Sequence, residues 1–419
     1  MKILWICNLV FPEFCPSYGI RVSDVGGWMP SLLHLLRMKT SYDISVCVPI
    51  YDDYRRRDIE VAGTKVYAFD GGMDRDEIRN DFISEFKRIY EIEKPDIIHI
   101  WGTEYKHAYY AVMACKELGL LDRTVIDIQG IITFIARHYL DGIPESIITL
   151  HTCDKCNSYL IEEKNNYLSH SSLERKIYQM VRFVTGRTDW DLSCVYSINH
   201  QIKYFYNARV LREGFYDFAG KWDSGKCKKH SVFLSSAYYA LKGFHLFIDV
   251  INELRQRFGD LSVVIAGPDP LQYDKKGERS EYGNYIEELL KENNLENITT
   301  FTGIIDESEM IERMIEANVF VATSTIENSC NSLCEAMMLG LPVVATYCGG
   351  LPSLINHNVD GFLYQSNASY MGAYYIGRIF EDNSLAERLS CEGTKTALNR
   401  HSKERILNNV VNMYDMIGN

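Results

Sequence analysis

The feature that most constrains this chain is a rhythm that runs once and then restarts. Short apolar runs alternate with longer amphipathic stretches, and near residue 231 the same alternation begins again. In the first half the strand candidates are 2–7, 44–48, 65–68, 97–100, 125–128 and 193–197, with amphipathic helices expected over 81–92 and 108–118. In the second half they are 231–235, 262–266, 298–302, 319–322, 343–345 and 361–364, separated by helices over 243–258, 282–293, 308–316 and 332–339. Most of the runs are predominantly apolar rather than strictly alternating with polar residues. That is the pattern of strands covered on both faces, as in a parallel sheet flanked by helices.

A chain of 419 residues is too long for one ordinary core. The restart places domains at 1–215 and 216–395, and a polar helix over 396–419 is expected to pack back on the first. The polar, glycine-containing stretch 217–230 reads as a linker between them. In parallel α/β domains ligands bind at the carboxyl ends of the strands, so the loops that follow strands carry the chemistry.

Charge and cysteine content narrow the partners. With 44 basic and 56 acidic residues the net charge is −12, which argues against a nucleic-acid binder. Twelve cysteines lie scattered, several in apolar runs, as expected of free thiols in a reducing cytoplasm. His151, Cys153 and Cys156 resemble half a zinc site, but no second pair completes a tetrahedron, so no metal is expected. The apolar start, Ile3 to Phe11, lacks a small-residue cleavage site and is expected to be a buried strand. No run approaches the roughly 18 apolar residues of a membrane span, so membrane contact would be peripheral. The basic stretches 175–187 and 226–230 are candidates for touching an anionic surface.

The richest segment runs from Thr325 to Ala345. A strand ends in a polar loop, Asn331 or Ser332 is placed to cap a helix, and Gly340 with Pro342 ends it. A helix start behind a strand presents free amide hydrogens and a positive dipole end, a cradle for a diphosphate. Glu335, in the first turns, can accept two ribose hydroxyls, while Glu327 at the loop's start can hold sugar hydroxyls. The bland alternative leaves Glu335 to complement the dipole and Glu327 to be solvated.

The spacing Glu327-x7-Glu335, followed by Ala-Met-x-x-Gly-x-Pro-Val-Val-Ala and Gly349-Gly350-x-Pro352, resembles the retaining glycosyltransferases of family 4. The resemblance implies the GT-B fold: two Rossmann-like, doubly wound parallel-sheet domains facing a cleft. It places Glu327 by the donor sugar, Glu335 on the nucleotide ribose, and Asn328, Asn331, Ser332 and Leu333 around the phosphates. Lys242-Gly243 looks like the family's phosphate-binding Lys-Gly, where a fixed cation stabilises a leaving diphosphate without metal. The family's accompanying Arg is missing from Ser235–Tyr239. Gly26-Gly27 resembles its amino-terminal glycine loop. At the place of a His that touches the donor sugar, this chain has Gln129, which can hydrogen-bond a hydroxyl but cannot donate as imidazolium does.

His107 and Glu104 are further candidates for substrate contacts, with helix capping as the plain alternative. Arg187, in Gly186-Arg187-Thr188-Asp189-Trp190-Asp191, is placed to meet a phosphate or anionic acceptor. The expectation is a metal-independent retaining glycosyltransferase with no cofactor. It would take a UDP- or GDP-sugar donor and a saccharide or lipid-linked acceptor in bacterial surface-polysaccharide synthesis. A sugar-nucleotide 2-epimerase of the same fold would change the donor with no acceptor present. A non-catalytic binding protein would hold nucleotide without consuming it.

Overall fold

The computed structural model describes residues 1–22, 27–74, 79–149 and 156–418. The chain forms two compact units and passes between them at 134–135, 167–168, 211–212 and 400–401. The first unit comprises Met1–Phe134, Leu168–Leu211 and His401–Asn419; the second comprises Ile135–Tyr167 and Arg212–Arg400. The segment 135–167, read with the first half from sequence, thus packs with the second unit.

The first unit is built on an eight-stranded sheet in the order β3-β4-β2-β1-β5-β6-β7-β8. Its strands are β1 Lys2–Ile6, β2 Asp43–Ile50, β3 Ile59–Val61, β4 Thr64–Asp70, β5 Ile97–Trp101, β6 Thr124–Asp127, β7 Phe183–Gly186 and β8 Lys203–Tyr206. All pairings are parallel except that of β3 with β4. Helices Asn80–Glu93 and Lys106–Glu117 bury Phe82, Phe86, Ile89, Ala111 and Cys115 in one core with Leu4, Ile98 and Ile126. The helix Lys403–Gly418 returns to this unit. The Tyr414 hydroxyl accepts from Trp5 Nε1 at 3.0 Å and lies 2.7 Å from His99 Nδ1.

The second unit holds a six-stranded, wholly parallel sheet in the order β11-β10-β9-β12-β13-β14. These are β9 Ser231–Leu234, β10 Ser262–Ile265, β11 Thr299–Phe301, β12 Val319–Ala322, β13 Val343–Thr346 and β14 Phe362–Tyr364. Every residue of β9, β12 and β13 is buried, which explains their largely apolar character, Ser231 and Thr346 being the polar exceptions.

Three readings of local structure are corrected as well. Residues 193–197 lie in a helix, Asp189–Ile198, whose start is fixed by Thr188: its side chain accepts from Asp191 N. The strands there are the unforeseen β7 and β8. The stretch 217–230 is no free linker: Trp222 is buried and donates its indole N–H to Ala317 O at 2.7 Å, and Gly220 N donates to Met338 O. The third concerns a helix cap and is described with the site.

Candidate functional site

Strand order in the second sheet runs outward in both directions from the β9/β12 pair, so its switch point lies at their carboxyl ends. These two strands pair only through Val319–Val232 and Phe320–Phe233, then release two loops. The loops are tied together by hydrogen bonds from Thr325 N to Leu241 O, 3.0 Å, and from Thr323 Oγ1 to Lys242 O, 2.5 Å. Ser332 Oγ donates to Ser235 Oγ at 2.7 Å.

Glycines permit this closeness. Gly243 has φ +66°, and a Cβ there would stand 2.1 Å from Thr323 O. Gly349 has φ +48°, and its Cβ would stand 2.1 Å from Glu327 O, while Gly350 N donates to that same oxygen at 2.8 Å. The glycine pair after β13 therefore backs the Glu327 peptide, linking two parts of the motif that sequence showed only as neighbours in a pattern.

Within this frame Lys242 Nζ meets Glu327 Oε2 at 2.9 Å. Burial alone would push the ammonium's pKa down, but the Glu327 carboxylate together with Tyr239 and Cys330 outweighs it and holds the group well above its ordinary range. The helix Asn331–Leu339 begins beside this pair. Its N-cap position is Cys330, not Asn331 or Ser332 as read from sequence, and no side chain caps it. Asn331 and Ser332 instead occupy the first turn, and the buried Asn328 and Leu333 flank it. An uncapped start leaves amide hydrogens available to an anion.

Glu335 lies on the next turn and is 6 % exposed. Arg212 Nε and Nη2 donate to its two oxygens, both at 2.9 Å. Burial raises the Glu335 pKa, and the guanidinium opposes that rise. Arg212 went unread in the sequence because no motif surrounds it; its only signal is a charge directly before the short helix Glu213–Asp217.

In the first unit the strand order reverses between β1 and β5. Just past β1, Asn8 Nδ2 donates to Gln129 Oε1 at 3.1 Å. The Gln129 loop follows β6 and is held by two buried carboxylates. Glu104 accepts from Gly130 N, and Glu174 accepts from Ile132 N at 3.1 Å, Thr133 N at 2.7 Å and Thr103 Oγ1 at 2.7 Å. Burial pushes the Glu174 pKa up to about 7, against the pull of those hydrogen bonds. Glu174 was also missed, since nothing marks it within the long helix Leu160–Met180.

Gly27 is the N-cap of the helix Trp28–Lys39 in an ordinary right-handed conformation; Gly26 lies outside the described residues. Arg187 is buried at the end of β7, with its Nη2 donating to Gln129 O at 3.3 Å. His107 does not take the expected place. It is 2 % exposed, and its ring packs 5.0 Å from Phe69 and 5.9 Å from Tyr105, because the first turn of Lys106–Glu117 turns this position into the core. His151 and Cys153 lie outside the described residues, among which no group of His, Cys, Asp or Glu could hold a metal ion. Among them, too, no helix is long and apolar enough to cross a membrane.

The chain is 26 % identical over 187 residues to 2-deoxystreptamine N-acetyl-D-glucosaminyltransferase of Niallia circulans, covering 45 % of each chain. It is 27 % identical over 178 residues to the amylovoran biosynthesis glycosyltransferase AmsK of Erwinia amylovora, covering 40 % of each. The matches thus span less than half of these relatives' own length. Two solved structures share the fold over nearly the whole chain. Sucrose-phosphate synthase of Thermosynechococcus elongatus has TM-score 0.70 at 15 % identity, covering 100 % of this chain and 99 % of its own. Anabaena HepE in complex with UDP and glucose has TM-score 0.67 at 16 % identity, covering 99 % and 100 %. The architecture is therefore that of the GT-B glycosyltransferases, and residues 220–396, which carry the Lys242, Glu327 and Glu335 site, match the family of glycosyl transferases group 1.

Proposed function

We propose that the protein is a retaining glycosyltransferase that moves a sugar from a nucleoside-diphosphate sugar to a saccharide or lipid-linked acceptor, without a metal, in polysaccharide or glycoconjugate synthesis. The observation that carries this reading is the convergence of a lysine, an uncapped helix start and two carboxylates at the switch point of the second sheet. Lys242 and the amides of Asn331–Leu333 receive the diphosphate, and Glu335 receives the ribose. Glu327 exchanges its ion pair with Lys242 for hydroxyls of the donor sugar. Gln129 of the first unit, held by Asn8, is the further candidate for a sugar hydroxyl.

The chemistry asks little else of the chain. The bond from the anomeric carbon to the diphosphate breaks while a bond to the acceptor oxygen forms on the same face. The acceptor's proton passes to the leaving phosphate oxygen. Positive charge from Lys242 and the helix dipole stabilises the diphosphate as it departs. Arg212 supports the missing-Arg side of the reading: it supplies a cation one helical turn from the cradle and holds both oxygens of Glu335 in place.

Incubation with UDP- and GDP-sugars tests the proposal. Release of nucleoside diphosphate with sugar appearing on an acceptor supports it; an altered nucleotide-sugar formed without acceptor would identify an epimerase. Binding without turnover on any donor would leave a carrier.

A further inference from the structure

Two arginines of the first unit carry more hydrogen-bond donors than their surroundings accept. Arg187 and Arg209, 5 % and 6 % exposed, converge on one carboxylate, Asp127, at the end of β6. Arg209 Nη2 reaches its Oδ1 at 3.0 Å; Arg187 Nη1 stands off at 3.7 Å. The remaining nearby carboxylates are committed elsewhere. Asp191 accepts from Arg187 N and from the Tyr204 hydroxyl; Glu104 accepts from Gly130 N through Oε1, while its buried Oε2 has no hydrogen-bond donor among the described residues and its charge acts on Arg209 only through space. Among the described residues Nε and Nη1 of Arg187 and Nη1 of Arg209 are buried with no hydrogen-bond acceptor. The Trp28 ring closes one face of the Arg209 guanidinium, 3.2 Å from its Cζ.

A buried guanidinium with idle donors is costly unless something acceptor-rich sits against it. The arginines lie where ligands of parallel sheets bind, following β7 and β8 at the carboxyl edge that also carries Gln129. Phosphate oxygens accept hydrogen bonds and never donate them, and planar guanidinium forks match them.

We infer that Arg187 and Arg209 form a phosphate seat in the first unit, separate from the diphosphate cradle of the second, and that it anchors a phosphate carried by the acceptor. The assignment rests on the transferase reading for the word acceptor; the seat itself does not.

The test is titration of the full chain with inorganic phosphate at constant ionic strength, alone and with saturating UDP or GDP, followed by calorimetry and thermal unfolding. Phosphate should bind and should still stabilise the nucleotide-saturated protein. Arg187→Ala should weaken phosphate binding at least about tenfold, the loss of one charge-assisted hydrogen bond, and leave nucleotide binding intact. Lys242→Ala should do the reverse. Arg187→Lys keeps a cation facing Asp127 if the alanine variant fails to fold, and should lose phosphate too. Phosphate binding that survives both Arg187 variants overturns the seat. So does phosphate binding that nucleotide abolishes, which would return these arginines to the donor. If no nucleotide binds while the Arg187 variants still lose phosphate, the donor reading falls and the seat stands.

Discussion

At the scale of the residue, the candidate site is a set of ion pairs. Lys242→Ala removes the only side-chain cation paired with Glu327 among the described residues, and Glu335→Ala removes the carboxylate proposed to receive the ribose. Each should abolish transfer while circular dichroism and the unfolding midpoint stay near those of the parent. Full turnover by either variant would refute the placement. Arg212→Ala strips the buried Glu335 of its counter-charge, so the carboxyl pKa, already raised by burial, rises further. Hydroxyls need the ionised form, so the acid limb of the donor kcat/KM profile should move to higher pH, and donor affinity should fall about tenfold or more. Gly349→Ala would force a methyl group against Glu327 O in a left-handed conformation. A loss of at least about 1 kcal/mol of stability is expected, with a raised donor KM.

At the scale of the element, the Gln129 loop hangs on Glu174, and its stability should titrate. The folded pKa is raised, from 4.5 to about 7, so the native state binds the proton more tightly than the unfolded chain. Stability from this group is therefore complete below pH 4.5 and is lost as pH climbs through 7, by up to about 3 kcal/mol. Glu174→Gln should flatten that slope in urea titrations run from pH 5 to pH 8; an unchanged slope would place the ionisation elsewhere. The elements themselves were unevenly legible. The second sheet could be read because its central strands β9, β12 and β13, buried on both faces, are largely apolar, and its loop motif is contiguous. In the first unit β8 begins and ends on exposed residues, so its pattern is faint. The run 193–197 imitated a strand, although Thr188-x-x-Asp191 is a helix-start signature. Arg187, Arg209 and Asp127 meet only through tertiary folding, and Glu174 reaches residues 42 and 41 positions away, so neither arrangement has a local trace.

At the scale of the whole molecule, the two units are unequal in how the chain builds them. The second comes from one long stretch, Arg212–Arg400, plus the insert Ile135–Tyr167; the first needs its final piece, His401–Asn419, from beyond that stretch. The anchor Trp222 lies at the start of the long stretch, and Trp222→Ala should destabilise the second unit by about 3 kcal/mol, read as an earlier transition in thermal unfolding. Deleting 401–419 should act on the other unit instead. It uncovers Trp5 and His99 and removes the Tyr414 hydroxyl that joins them, so amide exchange should quicken in β1 and β5 and not in β9 or β12.

That final piece also sets an order in time. A ribosome that has made 400 residues has emitted every strand of both sheets, yet the helix that seals β1 is still unsynthesised. The unit translated first is thus finished last, and for most of its synthesis the nascent chain must shelter an open aromatic surface around Trp5. A stop codon after residue 400 should therefore lower the soluble yield of the chain, and the soluble fraction should show the faster exchange in β1 and β5.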